Sequence, residues 1–218
     1  RWTIVTANVT SASKAIDLID YLDQKKQGMD AISVDVLCVQ ELMTLPEQVG
    51  RFKSVCARAR FHSVVSPSCI TDRMGKSAGV AVLSRWQRSL DEYDVPDSFR
   101  LAKGRVAVCF WPGVLKRGIM IVSIYLMDGV GLSPGNTAIL KEVEALLFSL
   151  QVPYILAGDF NVSPDALLEN GIVQRCKGRI FMPTSDTYAS GGFSAKIDYF
   201  VISDSLQHMV VECYCLEC

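Results

Sequence analysis

The sequence predicts an α/β fold in which two packed mixed β-sheets are flanked by helices, a four-layer α/β/β/α sandwich. Short apolar runs of strand length recur along the chain, and amphipathic helical stretches separate some of them. Others follow one another with no helix between. This mixture of βα units and consecutive strands fits two sheets packed together and covered by helices. With 218 residues, 50% of them hydrophobic, the chain can fill one core and hardly two, so a single domain over 1–218 is expected. No repeat, low-complexity segment or linker interrupts it.

Thr3 to Val9 reads as a buried strand. Ala15, Leu18, Ile19 and Leu22 follow at helical spacing, with Ser11 or Ser13 as the cap. Asp35 to Val39 is the next strand, and Pro46 opens a helix through Ala57, since proline is tolerated in a first turn. Phe61–Val65, Gly79–Arg85, Arg105–Trp111 and Gly118–Leu126 are strand-like. Pro134-Gly135 precedes an amphipathic helix with Ile139, Leu140, Val143, Leu146, Leu147 and Leu150 on one side. Pro153 to Ala157 is a buried strand, Ser163-Pro164-Asp165 starts a short helix, and Lys196–Ser203 and Met209–Cys215 read as closing strands.

Lys and Arg total 22 against 23 Asp and Glu, a net charge of −1. A domain that grips nucleic acid mainly by neutralising phosphates is usually basic. Local basic clusters, Arg51, Lys53, Arg58 and Arg60 or Arg175, Lys177 and Arg179, read more simply as solvated surface. No apolar run approaches the roughly 20 residues that span a bilayer. Of the eight cysteines, Cys38 and Cys109 sit in apolar strands, where free Cys packs as a small hydrophobe. Cys213, Cys215 and Cys218 have no partner motif elsewhere that would complete a zinc site. Both sequons, at Asn8 and Asn161, fall in motifs that line the expected site, where a glycan would block it. A reducing, intracellular setting is expected, the nucleus included, rather than secretion.

Polar groups recur where strands stop: Asn8, Glu41, Tyr125, Asp159 with Asn161, and Asp198. Carboxylates, carboxamides and a phenol at strand ends suit an oxygen-ligated divalent cation, Mg²⁺ or Mn²⁺, better than zinc. Each residue alone has a plainer explanation, such as a helix cap for Asn8 or a turn for Asp159 and Asn161.

Together, Thr6-Ala7-Asn8-Val9, Val39-Gln40-Glu41, Gly79-Val80-Ala81-Val82-Leu83-Ser84, Ile124-Tyr125, Gly158-Asp159-Phe160-Asn161 and Lys196-Ile197-Asp198-Tyr199-Phe200-Val201-Ile202-Ser203 occur in a familiar order. From Thr3 to about Leu206 the chain resembles the endonuclease/exonuclease/phosphatase superfamily. The flavour is that of abasic-site endonucleases and endonuclease domains of non-LTR retrotransposons. The resemblance implies Glu41 as principal metal ligand, with Asn8 helping to organise metal and water. It implies Asp159 as the acid that positions or activates water and Asn161 as an amide contacting phosphate. Tyr125 then stabilises transition-state charge, and Asp198 orients a catalytic histidine. The implied activity is metal-dependent phosphodiester hydrolysis, with DNA as first substrate. A phosphorylated small molecule or lipid headgroup is the alternative, because inositol-phosphate phosphatases and sphingomyelinases share the scaffold.

The pattern fails in one place. Relatives carry a histidine-bearing segment one strand after the IDYF strand, and here only His62 and His208 exist. Neither matches that position. The expectation is a fragment whose last strand and histidine lie beyond Cys218, leaving an unpaired sheet edge. A degenerate domain that binds without cutting is the competing expectation.

Overall fold

The computed structural model describes residues 2–25, 33–71, 75–85, 91–92, 103–112 and 115–215. In chain order the first half holds β1 (Ile4–Asn8), α1 (Ala12–Lys25), β2 (Val36–Gln40), α2 (Pro46–Arg58), β3 (His62–Ser66), β4 (Cys69–Ile70), β5 (Lys76–Ser77), β6 (Val80–Ser84) and β7 (Asp91–Glu92). There follow β8 (Val106–Trp111), β9 (Ile119–Tyr125), α3 (Pro134–Leu150), β10 (Tyr154–Asp159), α4 (Pro164–Asn170), α5 (Ile172–Arg175) and β11 (Gly178–Phe181). A hairpin of β12 (Tyr188–Ser190) and β13 (Phe193–Ala195) leads into β14 (Asp198–Ser203), after which Asp204–Met209 forms a 3-10 turn.

Two larger sheets result: four strands in the order β1-β2-β6-β3, and six in the order β11-β14-β10-β9-β8-β7. Strand alternation divides the apolar residues into three layers. On the outer face of the four-stranded sheet, Leu37, Val39, Ala81 and Leu83 meet Ala15, Ile19 and Leu22 of α1 and Phe52 and Cys56 of α2. On the outer face of the six-stranded sheet, Val108, Met120, Val122, Leu156 and Val201 meet Ile139, Leu140, Val143 and Leu146 of α3, with α4 and α5 beside it. Between the sheets lie Val36, Cys38, Val80, Val82, Cys109, Ile121, Ile155 and Ala157. The expected layer order is therefore present.

Local signals explain most boundaries. Ser11 caps α1, its hydroxyl accepting from Lys14 N at 3.2 Å. Ser163 accepts from Ala166 N at 3.2 Å at the start of α4. One expected strand is absent: Val210–Cys215 is irregular, and Val211 is 76% exposed. Both sides of β14 are taken, by β10 and β11, so the chain leaving its end meets no free ladder. Alternation alone does not make a strand without a partner for its N–H and C=O groups. Cys218 lies outside the described residues. β1 is an edge strand, half-buried along its length, whereas β2 and β6 inside the sheet are fully buried.

β9 and β10 run parallel with Gly158 opposite Ile124. A Cβ on Gly158 would stand 1.9 Å from the Ile124 carbonyl oxygen, a backbone atom that cannot step aside. Gly158→Ala should therefore destabilise the fold by more than about 3 kcal/mol in urea denaturation. A change under about 1 kcal/mol would show that the close approach of β9 and β10 is not required.

Candidate active site

The period-2 rule places the site before any side-chain contact is considered. β1 alternates Val5 and Ala7 toward the helices with Ile4, Thr6 and Asn8 toward the other sheet. On β9, Ile119, Ile121, Ser123 and Tyr125 face inward. So do Ile155, Ala157 and Asp159 on β10, and Asp198, Phe200 and Ile202 on β14. β1 and β2 are parallel, with Asn8 opposite Gln40, and Glu41 follows directly. β9 and β10 place Tyr125 opposite Asp159, and β14 places Asp198 opposite Asp159. Asn8, Glu41, Tyr125, Asp159 and Asp198 thus gather at one end of the seam between the two sheets.

Asn8 Nδ2 donates to Glu41 Oε1 at 2.9 Å and to Asp159 Oδ2 at 2.8 Å, joining carboxylates from different sheets. Its oxygen accepts from Thr10 N at 3.2 Å. Carboxylates only accept, so the amide must present its N–H groups to them. In this arrangement Asn8 organises the two acids through its Nδ2, while its oxygen accepts from Thr10 N. Tyr125 Oη donates to Glu41 Oε1 at 2.6 Å. Asn161 takes Asp159 Oδ1 on its backbone N–H at 3.0 Å and donates Nδ2 to Leu126 O at 3.0 Å, tying the ends of β9 and β10 together.

The backbone is strained here, with φ of +56° at Glu41 and +49° at Asn161. Left-handed non-glycine residues persist only where surrounding contacts hold them, and they cluster at functional sites. The turn at Glu41 breaks the alternation of β2 and brings its carboxylate to the seam.

Asp159 is only 3% exposed. Burial, then the nearby Asp198 carboxylate, raises its pKa to about 7 against the pull of Asn8 and the Asn161 N–H. Burial likewise raises Asp198 to about 6, partly offset by the Thr187 hydroxyl. Tyr125 is pushed up by burial and by Glu41 and stays a neutral donor. Asp198 Oδ1 is buried, and among the described residues none donates a hydrogen bond to it. Acceptors left so carry a desolvation cost that an added N–H would relieve.

Several participants carried no clear sequence signal. Arg105 stacks over the Tyr125 ring at 4.7 Å and donates Nη2 to Ser77 Oγ at 3.1 Å. Thr187 Oγ1 accepts from the N–H groups of Ile197 and Asp198, each at 3.0 Å. Gln40 and Ser123 lie just beneath the site. Ser123, a polar residue on the inward phase of an apolar strand, is the one whose pattern could have been noticed.

The histidines are elsewhere. His62 pairs with Ser84 and Val36 with Ser84, at the opposite end of the four-stranded sheet from Glu41. His208 follows Ser203, five residues and so about 16 Å along β14 from Asp198. Several members of the basic clusters are likewise held elsewhere. Arg175 is bound to Glu144 at 2.6 Å and Arg179 to Asp204 at 3.0 Å. Arg58 and Arg60 precede β3 at the His62 end.

Hard oxygen donors under mutual repulsion fit a divalent cation of the Mg²⁺ or Mn²⁺ type. Among the described residues no group of three or more His, Cys, Asp or Glu side chains is placed to hold a metal ion.

The profile of the Endonuclease/Exonuclease/phosphatase family matches residues 5–214. No match is found among curated proteins. Among solved structures, an AP endonuclease from Leishmania major is similar with a TM-score of 0.70 at 17% identity, covering 98% of this chain and 82% of its own. The endonuclease domain of a telomere-specific non-LTR retrotransposon gives 0.58 at 14%, covering 94% and 86%. Sphingomyelinase C from Streptomyces griseocarneus gives 0.55 at 11%, covering 92% and 82%. At these identities the structures establish the fold.

The raised acids have a consequence for stability. Unfolded, Asp159 and Asp198 ionise near their ordinary value of 3.8; folded, they hold protons up to about 7 and 6. The folded state binds more protons across that window, so unfolding free energy falls as pH rises through it. In EDTA the Tm should be higher at pH 5 than at pH 8, and Asp159→Asn should flatten the decline. A metal-free Tm that rises over this range would contradict the buried-acid geometry.

Proposed function

The chain belongs to the endonuclease/exonuclease/phosphatase family, whose members hydrolyse phosphodiester bonds, and from that premise we propose that it is a Mg²⁺- or Mn²⁺-dependent endonuclease acting on DNA within a single domain. The observation that carries this reading is the meeting of Glu41 and Asp159 through the Asn8 amide, with the Tyr125 hydroxyl on Glu41, at the seam of the two sheets. DNA is favoured by the likeness to an AP endonuclease and a retrotransposon endonuclease domain. Exposed Lys76 and Lys103, neighbours of the Ser77–Arg105 pair, border the site end and can meet flanking phosphates.

Glu41 would hold the cation, with Asn8 fixing the carboxylate. The ion supplies positive charge against the phosphate and the leaving oxygen. Asp159, held by Asn8 and the Asn161 N–H, would take a proton from the attacking water. Tyr125, kept protonated, donates to charge that develops on the phosphate. Asn161 steadies Asp159 and has a further amide N–H for a phosphate oxygen. Asp198 is set to orient an imidazole that neither His62 nor His208 supplies, their positions being at the far end. With no described histidine beside Asp198, the second reading is a degenerate module that binds without cutting.

Mg²⁺ or Mn²⁺ should raise Tm through binding to the folded state, and Glu41→Gln should abolish the rise while leaving the metal-free fold intact. An equal rise in the variant would remove Glu41 from the site. On abasic-site duplex, plain duplex and inositol phosphates, turnover should be greatest on DNA and low. Free imidazole should raise it, because general acid–base groups typically contribute about 10²- to 10⁴-fold. A metal-induced Tm rise without turnover on any substrate, with or without imidazole, would favour the binding module.

A further inference from the structure

A second polar layer lies directly under the site, inside the otherwise apolar space between the sheets. Gln40 and Ser123 are both 0% exposed. Gln40 continues the inward phase of Val36 and Cys38, and Ser123 that of Ile119 and Ile121. Gln40 Nε2 donates to Ser123 Oγ at 2.9 Å, bridging the sheets. Ser123 Oγ donates onward to Val39 O at 3.3 Å, and Thr6 Oγ1 donates to Gln40 Oε1 at 3.2 Å.

Around this network the inter-sheet contacts are Cys38, Val80, Val82, Cys109, Ile121 and Ala157. Apolar contact is non-directional and fixes a spacing better than a registry. A hydrogen bond of set length and angle fixes both. The bridge also sits where registry matters. Gln40 immediately precedes Glu41, whose left-handed backbone depends on its neighbours, and Ser123 is two residues before Tyr125. The Glu41–Tyr125 bond at 2.6 Å crosses the same seam one layer above.

We infer that the Gln40–Ser123 bridge is a positioning device, locking the registry of the two sheets so that Glu41 on one meets Tyr125 and Asp159 on the other. Neither residue touches substrate in this scheme. The inference rests on the metal-dependent reading of the site, but its first consequence, the Glu41–Tyr125 contact, exists without metal.

A merely structural pair and a positioning pair respond differently to double replacement. Ser123→Ala alone strands a buried amide and lowers Tm. Gln40→Met with Ser123→Ala removes both partners of the bridge and strands only the half-buried Thr6 hydroxyl, and such paired apolar replacement can be nearly neutral for stability. In the double variant Tm should recover most of what the single variant lost. Mn²⁺ affinity, read by EPR, should stay about tenfold weaker, and kcat should fall by up to about 10²-fold with KM within about twofold, as for a displacement near 1 Å. The [¹³Cζ]tyrosine NMR signal of Tyr125, assigned with Tyr125→Phe, should move toward that of a solvated phenol. Ser123→Thr, which keeps the hydroxyl, should retain wild-type affinity and signal. If affinity and signal recover together with Tm in the double variant, the pair is structural only and the inference is wrong. If the double variant does not fold, Ser123→Ala and Ser123→Thr decide: equal losses in both would exclude the hydroxyl as the cause. Failure of the wild-type protein to bind Mn²⁺ would sink the metal reading, whereas an unmoved Tyr125 signal would sink the positioning inference alone.

Discussion

The rest of the site depends on one carboxamide holding two acids apart and together. Glu41 comes from the four-stranded sheet and Asp159 from the six-stranded sheet, and the Asn8 amide spans them with bonds of 2.9 and 2.8 Å. Without that donor, Glu41 would keep only the Tyr125 hydroxyl and Asp159 only the Asn161 N–H among the donors described above. Even with it the compensation is partial, because Asp198 sits opposite Asp159 and Tyr125 offers a single O–H. The raised pKa of Asp159 comes first from its burial and then from the nearby Asp198 carboxylate. On the proposed reading, a bound cation would supply the positive charge that this cluster of acids lacks.

The fold accepts local costs to arrange this. Glu41 and Asn161 adopt left-handed backbone, and Asp198 Oδ1 is buried with no donor among the described residues. Such features persist because the surroundings over-determine them. Here the surroundings are three apolar layers and polar ties between the sheets, Asn8 and Glu41–Tyr125 at the site and Gln40–Ser123 beneath it. Glycine at 158 lets β9 and β10 approach closely enough for Tyr125 and Asp159 to stand side by side.

Most of the architecture was legible in the sequence because its signals are periodic. Buried strands such as Ile119–Tyr125 and the stripe of α3 repeat at 2.0 and 3.6 residues, and Ser11 and Ser163 mark helix starts. The Met209–Cys215 strand failed because alternation carries no information about whether a partner edge is available. Short pieces such as β11 and β12–β13 have too few residues to show a period. In the site, strand-end acids and amides could be picked out one by one, and their order carried the resemblance. Contacts between distant segments could not be read this way. The Arg105–Tyr125 stack, the Thr187 hydroxyl beneath Asp198 and the Gln40–Ser123 bridge depend on the registry of two sheets, which no local window contains. The same registry shows why His62 and His208 cannot serve: each is a strand's length from the chemistry.

The most direct measurement is an anomalous difference map from a crystal soaked in Mn²⁺ and recorded at the manganese edge. The account predicts a peak at about 2.0–2.3 Å from a Glu41 carboxylate oxygen, on the side shared with Asn8 and Asp159 and filled out by waters. A peak only at other carboxylates, or none at the seam at millimolar Mn²⁺, would contradict the claim that the two sheets meet there to hold a cation.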